Sequence, residues 1–172
     1  IPNKLNIHTI LLAGGKGTRM LSKKAKVLQK LAGKSLLEHI LCSAEEISSK
    51  TSIVVGFDKL SVEKEVSKIS TKAKTYEQQK QIGTADAVRT VIDSINENEI
   101  ELILYGDVPL ISKNTLKSLC SLNNSVSILT TNLSDPKGYG RVIKDAKSLV
   151  VEIIEEKDTS AEQKEIKEIF TG

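Results

Sequence analysis

Residues 8–20 read HTILLAGGKGTRM. The run 8–13 is apolar without alternation, which predicts a strand covered on both faces, as in a parallel sheet. It then breaks into Gly14, Gly15 and Gly17, with Lys16 and Arg19 among them. Glycines at the carboxyl end of a strand sit where open α/β sheets bind ligands. They let the chain curl so that successive N–H groups face one concavity, a shape suited to phosphate. Lys16 and Arg19 supply the countercharge. A plain glycine-rich turn would explain the glycines but not two cations directly after the first strand. Two better-known phosphate loops are excluded. A dinucleotide fingerprint needs glycine or alanine where Met20 stands, and AGKS at 32–35 has Leu28 in place of the first P-loop glycine.

Working outward, strand and helix patterns alternate. Strands are expected at 52–57, 73–78, 101–106, 125–131, 140–144 and 149–155. Helices are expected at 35–47, capped by Ser35 with Glu38 closing a capping box, at 59–69, at 84–95 behind Thr84, and at 112–122 behind Ser112. A last helix is expected at 160–170, with Ser160 and Gln163 as its box. This order predicts an α/β fold, Rossmann-like, with a largely parallel central sheet and helices on both faces. No repeat, linker or boundary interrupts it, so one domain over 1–172 is expected.

Composition narrows the function classes. The chain has 172 residues, 39% of them hydrophobic, and a net charge of +3. Its 25 basic residues are interspersed with 22 acidic ones, and aromatics are only 3%. Neither a basic stripe nor a stacking platform for bases is present, which argues against nucleic acid as a partner. No apolar run approaches the ~20 residues of a membrane span. The opening residues lack the pattern of a signal peptide. Cys42 and Cys120 stand alone in helical stretches and read as buried free thiols of a reducing, cytoplasmic compartment.

Three further segments carry chemistry. ELILYGDVPL (101–110) runs a strand to Gly106 and delivers Asp107 at the carboxyl edge of the sheet, a hard oxygen ligand for Mg²⁺. QQKQIGT (78–84) offers Gln78 and Gln81 amides to a pyrimidine edge, with Gly83 allowing close approach. GYGR (138–141) and IIEEKD (153–158) read as a turn and an acidic run.

Together, LAGGKGTRM, KVLQKLAGKSLLEHI, EQQKQIGTADAV, LYGDVPLI, DPKGYGRVI and IIEEKD closely resemble the nucleoside-diphosphate-sugar pyrophosphorylases. The match narrows to the uridyltransferase half of bacterial bifunctional UDP-N-acetylglucosamine pyrophosphorylase/glucosamine-1-phosphate acetyltransferases and covers essentially the whole chain. The resemblance implies uridylyl transfer from UTP to N-acetylglucosamine 1-phosphate, dependent on Mg²⁺, for peptidoglycan and lipopolysaccharide precursors. It assigns Arg19 to the departing pyrophosphate and Lys26 to the reacting phosphates. Leu12, Ala13, Gly15, Lys26, Gln78, Gln81, Gly83 and Thr84 would hold the nucleotide, Asp107 the metal, and Gly140 and Glu155 the sugar.

Some positions depart from the family pattern. Phe170 replaces a sugar-binding asparagine, Ala25 the usual proline, Asp86 a common histidine, and Gly14 an alanine. A second metal-binding asparagine and the acetyltransferase half, a β-helix, would lie beyond Gly172. This 172-residue chain is therefore expected to bind UTP weakly and to turn over N-acetylglucosamine 1-phosphate poorly or not at all. Two alternatives stay open: a related sugar or alcohol phosphate nucleotidyltransferase of different base or sugar, and a nucleotide-binding remnant without activity.

Overall fold

The computed structural model describes residues 5–17, 24–122 and 124–171. In chain order the elements are β1 (Ile7–Leu12), β2 (Lys30–Leu31), β3 (Lys34–Ser35), α1 (Leu36–Glu45), β4 (Lys50–Val55), α2 (Lys59–Ile69), β5 (Lys74–Glu77), α3 (Thr84–Arg89), β6 (Ile100–Tyr105), α4 (Lys113–Cys120), β7 (Thr130–Asn132), β8 (Arg141–Lys144), β9 (Val150–Ile154), α5 (Ala161–Lys164) and β10 (Glu168–Phe170). They fall into two compact units, Ile1–Leu122 and Asn123–Gly172.

The first unit is built on a parallel sheet of order β5-β4-β1-β6. β1 is central, pairing with β4 from His8↔Lys50 and with β6 from Ile7↔Ile100. Side chains alternate along a strand, so β1 feeds two cores. Ile7, Leu11 and Ala13 join Leu37, Ile40, Leu41, Val62 and Leu116 on the face covered by α1, α2 and α4. Ile10 joins Val54, Ala87 and Val91 on the face covered by α3. The α/β fold expected from the alternating pattern is present, with helices on both faces of the parallel sheet. Among the described residues no helix is long and apolar enough to cross a membrane.

The helix ends show where local signals prevail. Ser35 Oγ accepts the Glu38 amide at 3.1 Å, but the Glu38 carboxylate turns to Lys34 at 3.3 Å, so only half of that box forms. The box at Ser160–Gln163 is complete. The expected helix 84–95 stops at Arg89 and resumes only as a 3-10 turn at Ile92–Ser94. There the Thr90 and Ser94 hydroxyls donate to the Ala87 and Val91 carbonyls, local bonds that compete with the helix. Thr84 is its first residue rather than its cap, a place taken by Gly83. Cys120 is buried as expected, whereas Cys42 faces outward and is exposed.

The second unit holds an antiparallel sheet of order β7-β10-β8-β9. The strand expected at 125–131 forms only at Thr130–Asn132. The expected helix 160–170 is split into the short α5 and a strand, β10. Ile169 pairs with both Thr131 and Arg141 and is buried, a sheet contact that overrides helical spacing.

The AGKS segment rejected as a P-loop is a two-residue hairpin. Leu31 pairs with Lys34 across Ala32 (φ 48°) and Gly33 (φ 86°). Positive φ at both central positions is the I′ pattern, in which asparagine or glycine is preferred to alanine. Ala32→Asn is expected to stabilise the chain by about 0.5–1 kcal/mol, seen as a higher midpoint in urea at unchanged slope. A lower midpoint would show that the turn is not under this constraint.

Candidate active site

β1 and β6 are neighbours whose connections leave in opposite directions, and ligand crevices form at such a point beyond the carboxyl ends of the strands. A cavity of about 420 Å³ opens there. Of the residues expected at the nucleotide and metal, Leu12, Gly15, Lys26, Gln78, Gln81, Gly83, Thr84 and Asp107 all line it. Ala13 does not; it is buried, and its amide continues the β1–β4 pairing by donating to Val54 O at 2.8 Å. Arg19 lies outside the described residues.

The glycine loop is anchored to the end of β4, where the Phe57 amide donates to Gly14 O at 3.0 Å. Gly17 has φ 62°, and a Cβ there would lie 2.7 Å from the Lys26 Cβ. Only glycine lets the loop pack on the lysine stem. Lys16, expected as countercharge, instead holds its ammonium 5.6 Å from the Phe57 ring centroid, a cation–π contact. Among the described residues Lys26 is the lysine that lines the cavity.

Lys26 follows Ala25, where a proline was the expected residue. Ala25 has φ −53°, within the range proline adopts. Its amide hydrogen, which proline lacks, is directed at Asp58 Oδ2 at 3.3 Å. Across the cavity, the Gly106 amide donates to Leu12 O at 2.9 Å and so extends the β1–β6 pairing to the turn that carries Asp107. Lys26 Nζ donates to Asp107 Oδ2 at 2.6 Å, and both side chains are partly exposed. An ion pair with this much solvent is worth roughly 0.2–1 kcal/mol. Such a pair opens readily for a ligand of higher charge.

The third wall is the Gln78–Thr84 segment. Gln78 is 6% exposed, and its Nε2 donates to Gly83 O at 3.0 Å and to Asp86 Oδ2 at 2.9 Å. Both amide hydrogens are therefore committed inside the protein. Of the amide donors and acceptor expected of Gln78, the donors are engaged within the protein and the carbonyl oxygen takes no part in these two bonds. Asp86, at a position where histidine was expected, is the acceptor that holds this arrangement.

Tyr105, Val27 and Ala87 also line the cavity and were not singled out. Tyr105 lies inside the expected strand 101–106, two residues before Asp107, and that spacing puts both at the same sheet edge. Ala87 enters only because α3 folds over Ile10 and Val54.

Gly140 and Glu155 belong to the second unit. Gly140 O accepts the Phe170 amide at 3.2 Å, and a Cβ at Gly140 would approach Ile153 Cγ2 at 3.3 Å. Phe170 is thus a sheet residue bonded to the GYGR turn. Glu155 is exposed at the start of a 3-10 turn. Its neighbour Glu156 turns inward, its Oε2 2.7 Å from the buried guanidinium of Arg141.

The chain has recognisable relatives in sequence and in fold. The profile of the "MobA-like NTP transferase domain" matches residues 9–143. The chain is 43% identical over 169 residues to the bifunctional protein GlmU of Vesicomyosocius okutanii, covering 97% of this chain and 37% of that protein. It is 45% identical over 165 residues to GlmU of Thermoanaerobacter pseudethanolicus, covering 94% and 36%. The chain thus spans a little over a third of the length of these relatives. A putative glucose-1-phosphate thymidylyltransferase from Bacillus anthracis shares the fold, with a TM-score of 0.75 at 19% identity, covering 96% of this chain and 69% of that one. With the glycine loop, Lys26 and Asp107 inside the matched span, the chain belongs to the MobA-like NTP transferase domain family.

Proposed function

We propose that this chain is a sugar-phosphate nucleotidyltransferase, a uridyltransferase domain over 1–172 that moves a uridylyl group from UTP to N-acetylglucosamine 1-phosphate and releases pyrophosphate. The observation that carries the proposal is the Lys26–Asp107 pair, facing the glycine loop inside one cavity. The product would serve peptidoglycan and lipopolysaccharide precursor synthesis in the cytoplasm.

The chemistry asks little of the protein as a nucleophile. The attacking group is the acceptor's own phosphate, whose second pKa near ~6 leaves it largely dianionic at neutral pH. Neither histidine lines the cavity: His8 is buried against Ser52, and His39 bonds Leu31 O. What the reaction needs is positive charge fixed where negative charge accumulates. Lys26 is placed to neutralise phosphate oxygens once they draw it from Asp107. Arg19 is assigned to the leaving pyrophosphate.

Asp107 fits a divalent cation by its donor chemistry. It is a carboxylate in the cavity that already holds a cationic partner, the Lys26 ammonium. Mg²⁺ takes one or two carboxylates and completes its shell with phosphate oxygens and water. Bound there, the ion would supply charge to the triphosphate and align it. Gly140 and Glu155 are proposed for the sugar.

Base choice has a second reading. With its donors committed, Gln78 offers an acceptor, which suits the N3–H of uracil or the exocyclic amine of cytosine. A cytidylyl enzyme is therefore the runner-up.

Arg19→Ala is expected to lower kcat for pyrophosphate release about 10²–10³-fold, or ~3–4 kcal/mol, with little change in UTP affinity. Normal turnover with only a raised KM would make Arg19 a binding residue. Asp107→Asn should keep the fold by circular dichroism while UTP binding loses its dependence on Mg²⁺; undiminished dependence removes Asp107 from the metal site. Calorimetric binding of the four nucleoside triphosphates in Mg²⁺ should favour UTP, and a preference for CTP would select the runner-up.

A further inference from the structure

At the opposite end of β1 lies a second polar cluster. His8 is 0% exposed, with Glu101 beside it in register on β6 and Lys50 in register on β4. Glu99, just ahead of β6, completes the group. His8 Nδ1 is 2.8 Å from Glu101 Oε2 and 3.9 Å from Glu99 Oε2. The carboxylates are 12% and 21% exposed for Glu99 and Glu101.

The cluster is left short of partners among the described residues. There His8 Nδ1, Glu99 Oε2 and both Glu101 carboxylate oxygens are buried without a hydrogen bond of good geometry, with only the Asn96 backbone near Glu101. Such a concentration of orphaned atoms is rare and calls for a partner. The other ring nitrogen, Nε2, is already engaged by Ser52 Oγ at 2.8 Å. Lys50 does not resolve the deficit: its ammonium donates to Ser94 O and stays 3.8 Å from Glu99. Burial first, then Lys50, pushes the His8 pKa down despite Glu99, which favours the neutral imidazole.

We propose that His8 Nδ1 and the facing oxygens of Glu99 and Glu101 form a site for a divalent cation of the zinc class. Their ligand atoms all lie within 4.8 Å of one another, so small side-chain shifts bring them to the ~2.0–2.2 Å bonds of zinc. One imidazole with two carboxylates is a donor set for zinc or cobalt rather than for a hard ion held by oxygens alone. The Ser52 contact fixes the ring so that Nδ1 faces the carboxylates, the orienting role such partners play around metals. A bound ion would tie β1 to β6 at their amino ends. This site is independent of the nucleotide cavity, which lies beyond the other end of the same strands.

The test is Co²⁺ titration of the full chain, with excess Mg²⁺ present for the Asp107 site. A Cys42→Ser background removes the exposed thiol as a competing ligand. One Co²⁺ per chain is expected, with visible ligand-field absorption that Zn²⁺ displaces and a higher melting temperature in Zn²⁺. Glu99→Gln and Glu101→Gln should each weaken binding by about tenfold or more while the apo proteins still unfold cooperatively. His8→Gln should abolish binding; because His8 is fully buried, the two glutamate variants decide the matter if that one fails to fold. Absence of saturable binding in the parent, or parental affinity in either glutamate variant, overturns the site.

Discussion

Everything in the first unit depends on β1 being bonded along both edges and buried on both faces. Ile10 and Leu11 are fully buried on opposite sides of the strand, each in a different core cluster. The period of two then assigns every neighbour. Positions 7, 11 and 13 take the larger core, while Ile10 takes the smaller one beneath α3. A slip of one residue would drive His8 into the core formed by α1, α2 and α4 and turn Leu11 toward α3. Parallel pairing on both edges, from His8↔Lys50 and Ile7↔Ile100, prevents that slip.

The α3-covered face is graded along the strand. Leu12 and Tyr105 line the cavity, Ile10 and Val54 form the apolar middle, and His8 and Glu101 make a polar group at the amino end. Parallel strands bring like ends together, so β6 delivers Glu101 to one end and, one turn past its other end, Asp107. The two carboxylates meet different partners. Asp107 has a lysine at hydrogen-bond distance and access to solvent, so its charge is balanced and exchangeable. Glu101 is held against an imidazole under partial burial, and burial followed by the Glu99 charge pushes its carboxyl up from the ordinary range.

The second unit solves a different problem with the same kinds of residue. Arg141 is 2% exposed; it donates to Tyr139 O and pairs with Glu156. A buried guanidinium is tolerated only when so partnered, since desolvating an unpaired charge costs several kcal/mol. The GYGR turn and the EEKD segment are thereby joined by an ion pair, and Phe170 is bonded to the turn through Gly140. This interaction uses Glu156, not the neighbouring Glu155 to which a sugar contact was assigned. Adjacent residues in a turn face different ways, which a run of acidic letters conceals.

By itself the sequence determined the features that depend on local chemistry and periodicity. The unbroken apolar run at 8–13, the glycines after it and the strand ending at Asp107 specify a parallel sheet with a loop at its carboxyl edge. The hydroxyls of Ser35, Ser112 and Ser160 mark helix starts because they satisfy free amides three residues on. Gln78 and Lys26 were legible as candidate site residues through motif position, and both line the cavity. Packing settles which partners they take. Gln78 commits its donors to Gly83 and Asp86, Lys16 rests on Phe57, and Lys26 is the cation that meets Asp107. It also decided that 168–170 is strand and that Ala87 and Tyr105 complete the cavity wall. The His8–Glu99–Glu101 group belongs there as well, because its members come together only when β1 and β6 pair. Periodicity names the face of an element, but partners far apart in the chain are chosen by packing and by the need of buried polar groups for hydrogen bonds.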